Sequence, residues 1–306
     1  MLKDKVMYEK YVRETTAYIP NLYSSNFDFL WSSSGPMYGK AVWKIVDGML
    51  VVFRLYKNRK LKLPFLPLGP GKLEQIIEVL YKCAMFCHKW NGEKKDKSIL
   101  IAVNSTQLDL LNKIDSFNKR FYPVKLLGVD RHVSVQKLLE LKGREFQNIR
   151  NAINKFNREY PNVVIRRGNV DDLEALIKLK KEWNQTLGQK YARIRDDLRY
   201  RRTLKYQKEL NHIVLIAELN GQIIGMSSGG ILPHGQAWAG FHKKKEGYYG
   251  LSEHFYIEFA REIHRIDPRV ETIDLGGDAG AGDGLRNFKN KFRPILNEER
   301  FSLYLK

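Results

Sequence analysis

Ala41 to Val46 and Met49 to Tyr56 are two mostly apolar, strand-like runs, and the Asp47-Gly48 pair between them predicts a β-hairpin. Lys62-Leu-Pro-Phe-Leu-Pro-Leu68 reads as a third extended piece that ends in the turn Gly69-Pro70-Gly71. From Lys72 to Trp90 the period changes to that of a helix, with Ile76, Leu80, Cys83 and Cys87 on one face. A short buried strand over Ser98 to Val103, a helix over Thr106 to Ile114 and a strand over Tyr122 to Leu127 complete the first half.

The second half reads more sharply. Asp171 to Gly188 and Asp196 to Glu209 have helical spacing, and three antiparallel strands follow: Ile213 to Leu219, Gln222 to Leu232 and Gln236 to His242. Turn signals at Asn220-Gly221 and Pro233-His234-Gly235 separate them. A long helix over Gly250 to Ile266, a buried strand over Thr272 to Leu275, a short helix over Gly284 to Phe292 and a last strand over Phe301 to Leu305 close the chain. A helix pair, three antiparallel strands, a helix, a strand, a helix and a strand is the element order of the GNAT acyltransferase fold. The first half follows that order from its hairpin onward. The expectation is an α/β (α+β) chain of two tandem GNAT-like domains, each a mixed, mostly antiparallel sheet flanked by helices. Residues 1–132 would form the first, 133–160 a connecting helix, and 161–306 the second, which carries any active site.

Two segments carry candidate chemistry. In the connector, Phe146, Ile149, Ile153, Phe156 and Tyr160 form an apolar stripe, while Arg144, Asn148, Asn151, Lys155 and Arg158 fall on the opposite arc. That arc fits an ordinary solvated face, or a cationic strip that follows a phosphate backbone or anionic headgroups. The second segment runs from Thr272 to Pro294, a buried strand passing through the glycine-rich turn 276–284, with Gly280 and Gly282, into a short helix. Glycines let a backbone approach an anion closely, and a helix start offers free N–H groups. Leu285, Phe288 and Phe292 would be buried there, and Arg286, Lys289 and Arg293 would share an exposed arc. Asp278 stands at the end of the strand. It could take a proton from an attacking amine or hydroxyl, cap the turn, or pair with Arg286.

Composition narrows the partners. The chain has 306 residues, 43 % of them hydrophobic, enough for two packed cores, and its net charge is +19. A field of that sign attracts phosphates, nucleic acid or an anionic membrane surface, though a generic lysine-rich surface gives the same number. No apolar run reaches the roughly 20 residues of a membrane span, and the amino terminus has no signal-peptide core, so a cytoplasmic location is expected. Cys83 and Cys87, four apart on a helix, read as reduced core residues. The seven histidines show no metal-ligand spacing, and no metal is expected.

Three blocks resemble the phosphatidylglycerol lysyltransferase C-terminal-like family: Leu139 to Phe156, Phe241 to Gly250 with the helix after it, and Asp278 to Pro294. The resemblance implies transfer of an aminoacyl group from aminoacyl-tRNA to an acceptor, as in the architecturally similar Fem-type transferases. On that reading tRNA or another polyanionic donor is the partner, with peripheral contact to an anionic membrane but no integral association. The basic helix, including Lys155 and Arg144, and Lys243, Lys244 and Lys245 would meet the tRNA backbone. Arg150 and Asn151 would line a groove between the domains, and Lys289 and Arg293 would stabilise charge developing on the ester. Other readings are an acyl-CoA-dependent N-acyltransferase and a non-catalytic GNAT pair that binds tRNA or another anion. Coenzyme A-dependent members of the fold grip the pyrophosphate with a Gln/Arg-x-x-Gly-x-Gly/Ala loop, and Lys243 to Gly250 lacks that pattern. Its three lysines still offer charge for a phosphate.

Overall fold

The computed structural model describes residues 2–19, 25–35, 37–93, 100–190, 196–279 and 282–306. The chain divides into two compact units, residues 1–128 with 298–306, and residues 129–297.

The first unit opens with helices α1 (Lys5–Glu14) and α2 (Phe27–Ser32). Strands β1 (Lys40–Val46), β2 (Met49–Leu55) and β3 (Leu61–Lys62) form an antiparallel sheet. The hairpin turns at Asp47 (φ 47°) and Gly48 (φ 79°), the left-handed pair that a two-residue turn requires. The third extended piece keeps only two ladder residues, and an isolated bridge between Leu50 and Leu68 holds its far end. Helix α3 (Leu73–Trp90) buries Ile76, Leu80, Cys83 and Cys87 as its spacing predicted. Strand β4 (Leu100–Asn104) follows, and Ser98 and Ile99 of the expected strand lie outside the described residues. Helices α4 (Ser105–Leu111) and α5 (Asp115–Arg120) lead into β5 (Phe121–Ser134), whose last residues belong to the second unit.

The connector is the main departure from expectation. Val133 and Ser134 finish β5, where they pair with Ile273 and Thr272. Ser134 then caps a short helix α6 (Val135–Glu140), its Oγ accepting from the Lys137 N–H. Left-handed Leu141 (φ 47°) and Gly143 (φ 87°) break the helix, and a 3-10 turn over Arg144–Phe146 restarts it as α7 (Gln147–Glu159). One continuous helix over 133–160 is therefore replaced by two helices around a turn. Arg144 leaves the basic arc, and Asn148, Asn151, Lys155 and Arg158 remain exposed on α7.

The rest of the second unit comprises β6 (Val164–Arg167), α8 (Leu173–Gln185), α9 (Asp197–Lys205), α10 (Gln207–Leu210), β7 (Ile213–Leu219), β8 (Gln222–Leu232) and β9 (Gln236–Lys244). Helix α11 (Leu251–Ile266), β10 (Thr272–Asp274), α12 (Asp283–Asn290) and β11 (Leu296–Leu305) finish the chain, the last strand passing into the first unit. Within the second unit the strand order is β5-β10-β9-β8-β7-β6, with β9 and β10 parallel and the other neighbours antiparallel. One face packs on α6, α7 and α11 around Leu138, Ile149, Phe156, Phe255 and Phe259. A second core, built on Leu176, Leu179, Tyr200 and Leu204 of α8 and α9, contains Val214, Ile216, Met226 and Phe241 of the sheet. No described helix is long and apolar enough to cross a membrane.

Candidate functional site

The site is shaped by one irregularity in β9. Gly229 pairs with Ala239 but Ser227 pairs with His242, so two residues of β9, Gly240 and Phe241, face Ser228 alone. A bulge of this kind reverses the alternation of side chains along a strand. Ala237 and Ala239 accordingly belong to the α11 core, whereas Phe241 belongs to the α8–α9 core. His242 returns to the α11 side. Its ring centroid lies 5.6 Å from that of Phe255 and 5.4 Å from that of Tyr256, and its Nε2 is 3.0 Å from Ser252 Oγ. Burial beside Lys243 and Lys244 pushes its pKa down to about 3. Lys243 consequently points inward to α8, with Nζ 3.5 Å from the Trp183 ring centroid and 3.8 Å from Asp196. Burial lowers its amine to about 8 against the pull of Asp196. The expected exposed run Lys243 to Lys245 is thus corrected: the bulge buries its first member. Lys244 and Lys245 are half-buried, and Lys245 pairs with Glu182 at 3.4 Å.

Beyond the bulge β9 loses its parallel neighbour. The two strands pair only from Gln236↔Thr272 to Trp238↔Asp274. The chain after β10 stays with β5 instead, through Leu275 N–H to Arg131 O at 2.8 Å. The glycine turn that follows is fastened by side chains. Asp274 Oδ1 accepts from the Gly276 N–H at 2.6 Å, and Gly276 has a left-handed φ of 72°. Asp278 accepts from the Val129 N–H at 2.8 Å and from Arg131 Nη1 at 2.6 Å, with Arg286 Nε 3.5 Å away. Burial alone would raise the Asp278 pKa, but the Val129 N–H and the Arg131 guanidinium hold it below the usual carboxylate range.

Lys289 enters the turn from α12. Its Nζ donates to the carbonyls of Gly276 at 2.5 Å and Gly277 at 2.9 Å, and the residue is 4 % exposed. Burial lowers its pKa to about 8, while Asp274, Asp130 and Asp278 oppose that shift. Phe288 and Phe292 anchor α12 on Tyr256, with centroids 5.7 Å and 4.8 Å away. The expected exposed arc of Arg286, Lys289 and Arg293 is therefore corrected. Arg286 alone is on the outside of the helix, Lys289 is inside, and Arg293 lies past the helix end with φ 53°.

The remaining candidates divide cleanly. Arg150 Nη1 donates to the carbonyls of Leu141 and Gly143, and Arg293 donates to the Glu145 carbonyl through Nε at 3.3 Å and Nη2 at 3.2 Å. Both clasp the turn between α6 and α7. Asn151 and Lys155 are on the exposed face of α7, where Lys155 stands 3.6 Å from Glu159. Gly282 is exposed at the start of α12, and Gly280 lies outside the described residues. Sequence reasoning missed Arg131, the residue that joins Asp278 to Asn290 through Nε at 3.0 Å. The signal was the run Asp130-Arg-His132, three ionisable residues in a row inside a strand, all of them buried. No group of described His, Cys, Asp or Glu residues is arranged to hold a metal.

The family model described as "Phosphatidylglycerol lysyltransferase, C-terminal" matches residues 37–304, which contain every residue of this site. The chain belongs to this family. A conserved protein of unknown function from Bacteroides thetaiotaomicron has a similar structure, with a TM-score of 0.84 at 21 % identity over 100 % of this chain and 98 % of that one. The C-terminal domain of a putative lysylphosphatidylglycerol synthetase from Agrobacterium fabrum gives 0.67 at 13 % identity over 100 % and 92 %. A tandem GNAT protein from the clavulanic acid biosynthesis pathway gives 0.53 at 10 % identity over 99 % and 94 %. No curated protein matches the chain. The fold is thus a tandem GNAT fold, and the phosphatidylglycerol lysyltransferase family sets the protein among acyltransferases of the lysylphosphatidylglycerol synthase kind.

Proposed function

We propose that the protein transfers an aminoacyl group from aminoacyl-tRNA to an acceptor by direct attack, with the chemistry at the glycine turn of the second unit. The acceptor's hydroxyl or amine bonds to the ester carbonyl carbon, and the bond from that carbon to the terminal ribose oxygen breaks. The proton lost by the acceptor ends on the departing ribose oxygen. The observation that carries this reading is Lys289, an ammonium desolvated against two backbone carbonyls where β9 and β10 part. A donor with a pKa of about 8 is matched to proton transfer near neutrality. It would also stabilise charge on the leaving oxygen. Asp278, already held by Arg131 and Val129, is a poor proton acceptor. We assign it to positioning of the turn, with Arg286 beside it.

The exposed amides and cations of α7, Asn148, Asn151, Lys155 and Arg158, suit a tRNA backbone. The stretch Lys243 to Gly250 lacks the Gln/Arg-x-x-Gly-x-Gly/Ala loop with which coenzyme A-dependent members of the fold grip the pyrophosphate, which supports an aminoacyl donor over coenzyme A.

The test is turnover of lysyl- and alanyl-tRNA with phosphatidylglycerol vesicles as the first acceptor. Lys289→Met should lower the rate by about 100-fold or more while the chain still folds, its unfolding midpoint lowered by the loss of the donor to the Gly276 and Gly277 carbonyls. Unchanged turnover removes Lys289 from the mechanism. Coenzyme A binding without tRNA binding favours the acyl-CoA reading, and tRNA binding without turnover of any acceptor favours a non-catalytic pair.

A further inference from the structure

Strand β1 of the first unit is a sheet edge that the chain closes at one end only. The sheet runs β1-β2-β3, so one side of β1 has no strand beside it. Along an antiparallel strand, residues bond alternately to the partner strand and to the outside. Gly39 and Ala41 point outward, since the Gly39 carbonyl accepts from the Gly35 N–H at 3.2 Å and the Ala41 N–H donates to Ser34 Oγ at 3.0 Å. Trp43 and Ile45 continue in the same phase. Their outward N–H and C=O groups have no hydrogen-bond partner among the described residues.

The side chains on this edge say what it can pair with. Val42, Trp43 and Ile45 are 36 %, 44 % and 37 % exposed, and an apolar strand edge of that kind is a template for another strand. Lys40 and Lys44, both exposed, carry the only charges on β1, and neither has a carboxylate partner among the described residues. The carboxylates nearby are already engaged: Asp47 with Lys82 at 2.6 Å, and Asp4 with the Trp43 side chain. A second copy of β1 would bring further lysines and no acid to the seam, so the charge opposes self-pairing. It favours an acidic strand.

We propose that β1 receives an extended acidic segment of a partner protein as an added strand, hydrogen-bonded to the backbone of Trp43 and Ile45. Main-chain bonds hold such a segment, and its alternating side chains are read on the two faces of the sheet. On one face Lys40 and Lys44 flank Val42 and pair with acidic side chains; on the other, Trp43 and Ile45 take apolar ones. The partner therefore alternates acidic and apolar residues along the length of β1. This surface lies within the first unit and does not depend on the transfer reaction.

The whole chain is titrated with a fluorescent peptide of about eight alternating valine and glutamate residues, and with its valine–lysine counterpart, read by anisotropy at about 50 mM salt. Saturable binding of the valine–glutamate peptide, roughly tenfold or more tighter than that of the valine–lysine peptide, supports the site. Ile45→Pro removes one outward N–H and no bond of the β1–β2 ladder. It should weaken the valine–glutamate peptide roughly tenfold. Lys44→Glu, at an exposed position, should remove the preference for the acidic peptide, which decides the matter even if Ile45→Pro does not fold. No saturation by the valine–glutamate peptide, or unchanged binding in either folded variant, overturns the proposal. So does a concentration-dependent dimer that Ile45→Pro disrupts, which gives the edge to a second copy. Retention on phosphatidylserine vesicles that Lys44→Glu abolishes, with neither peptide binding, gives it to a membrane instead.

Discussion

Lys289 and Lys243 are both buried amines lowered to about 8, yet they differ in what surrounds them. Lys289 donates to carbonyls, so its proton is aimed at a turn that a substrate oxygen can approach, whereas Lys243 is covered by Trp183 and held near Asp196. If Lys289 acts as the proton donor, the transfer rate falls as pH rises through about 8. Lys289→Arg, whose guanidinium keeps its proton, should move that fall upward by more than one pH unit. A pH–rate profile checks this, and an unmoved limb assigns the titration elsewhere. Lys243 has a consequence for stability instead. Its folded pKa is lowered from 10.5 to about 8, so between those values the unfolded chain holds the extra proton and raising the pH favours the folded state. The gain across that window is on the order of 3 kcal/mol. Urea unfolding of wild type and Lys243→Met at pH 7.5 and 9.5 should show a smaller rise for the variant, and equal rises would contradict the burial argument.

Among the elements, the regular ones were legible and the irregular ones were not. The stripe Phe146, Ile149 and Phe156 is buried as its period required, because that period reports one helix face. The break before it is set by Leu141 in a left-handed conformation, which no local pattern announces for leucine, although Gly143 was a visible breaker. The β9 bulge escaped for a similar reason. Whether one strand carries an extra residue is decided across the ladder, where Trp238 packs against Gly230 and Gly240, and a Cβ added at either would lie 2.9 Å from its side chain. The turn between α6 and α7 therefore depends on partners distant in sequence. Arg150→Met frees the Leu141 and Gly143 carbonyls and should cost about 1–3 kcal/mol in denaturant unfolding. Its affinity for tRNA should fall less than that of an α7 surface variant. The reverse ranking would make Arg150 a binding residue rather than a clasp.

At the scale of the molecule, element order and the three sequence blocks were enough to reach the family, because they record topology and the glycine-rich turn directly. The net charge of +19 was equally visible but carried no address. The structure supplies one candidate, the exposed α7 face with Lys155 and Arg158, and a comparable pair elsewhere in the second unit, exposed Lys205 and Lys208. Each cation that neutralises a phosphate adds about 0.7–0.9 to the slope of log affinity against log salt. If α7 follows the tRNA backbone, Lys155→Gln with Arg158→Gln should reduce that slope by about 1.5, while Lys205→Gln with Lys208→Gln leaves it unchanged. Binding measured from 50 to 300 mM salt separates the cases. An equal reduction from both pairs would mean that the whole basic surface attracts tRNA diffusely and that α7 has no special part in holding it.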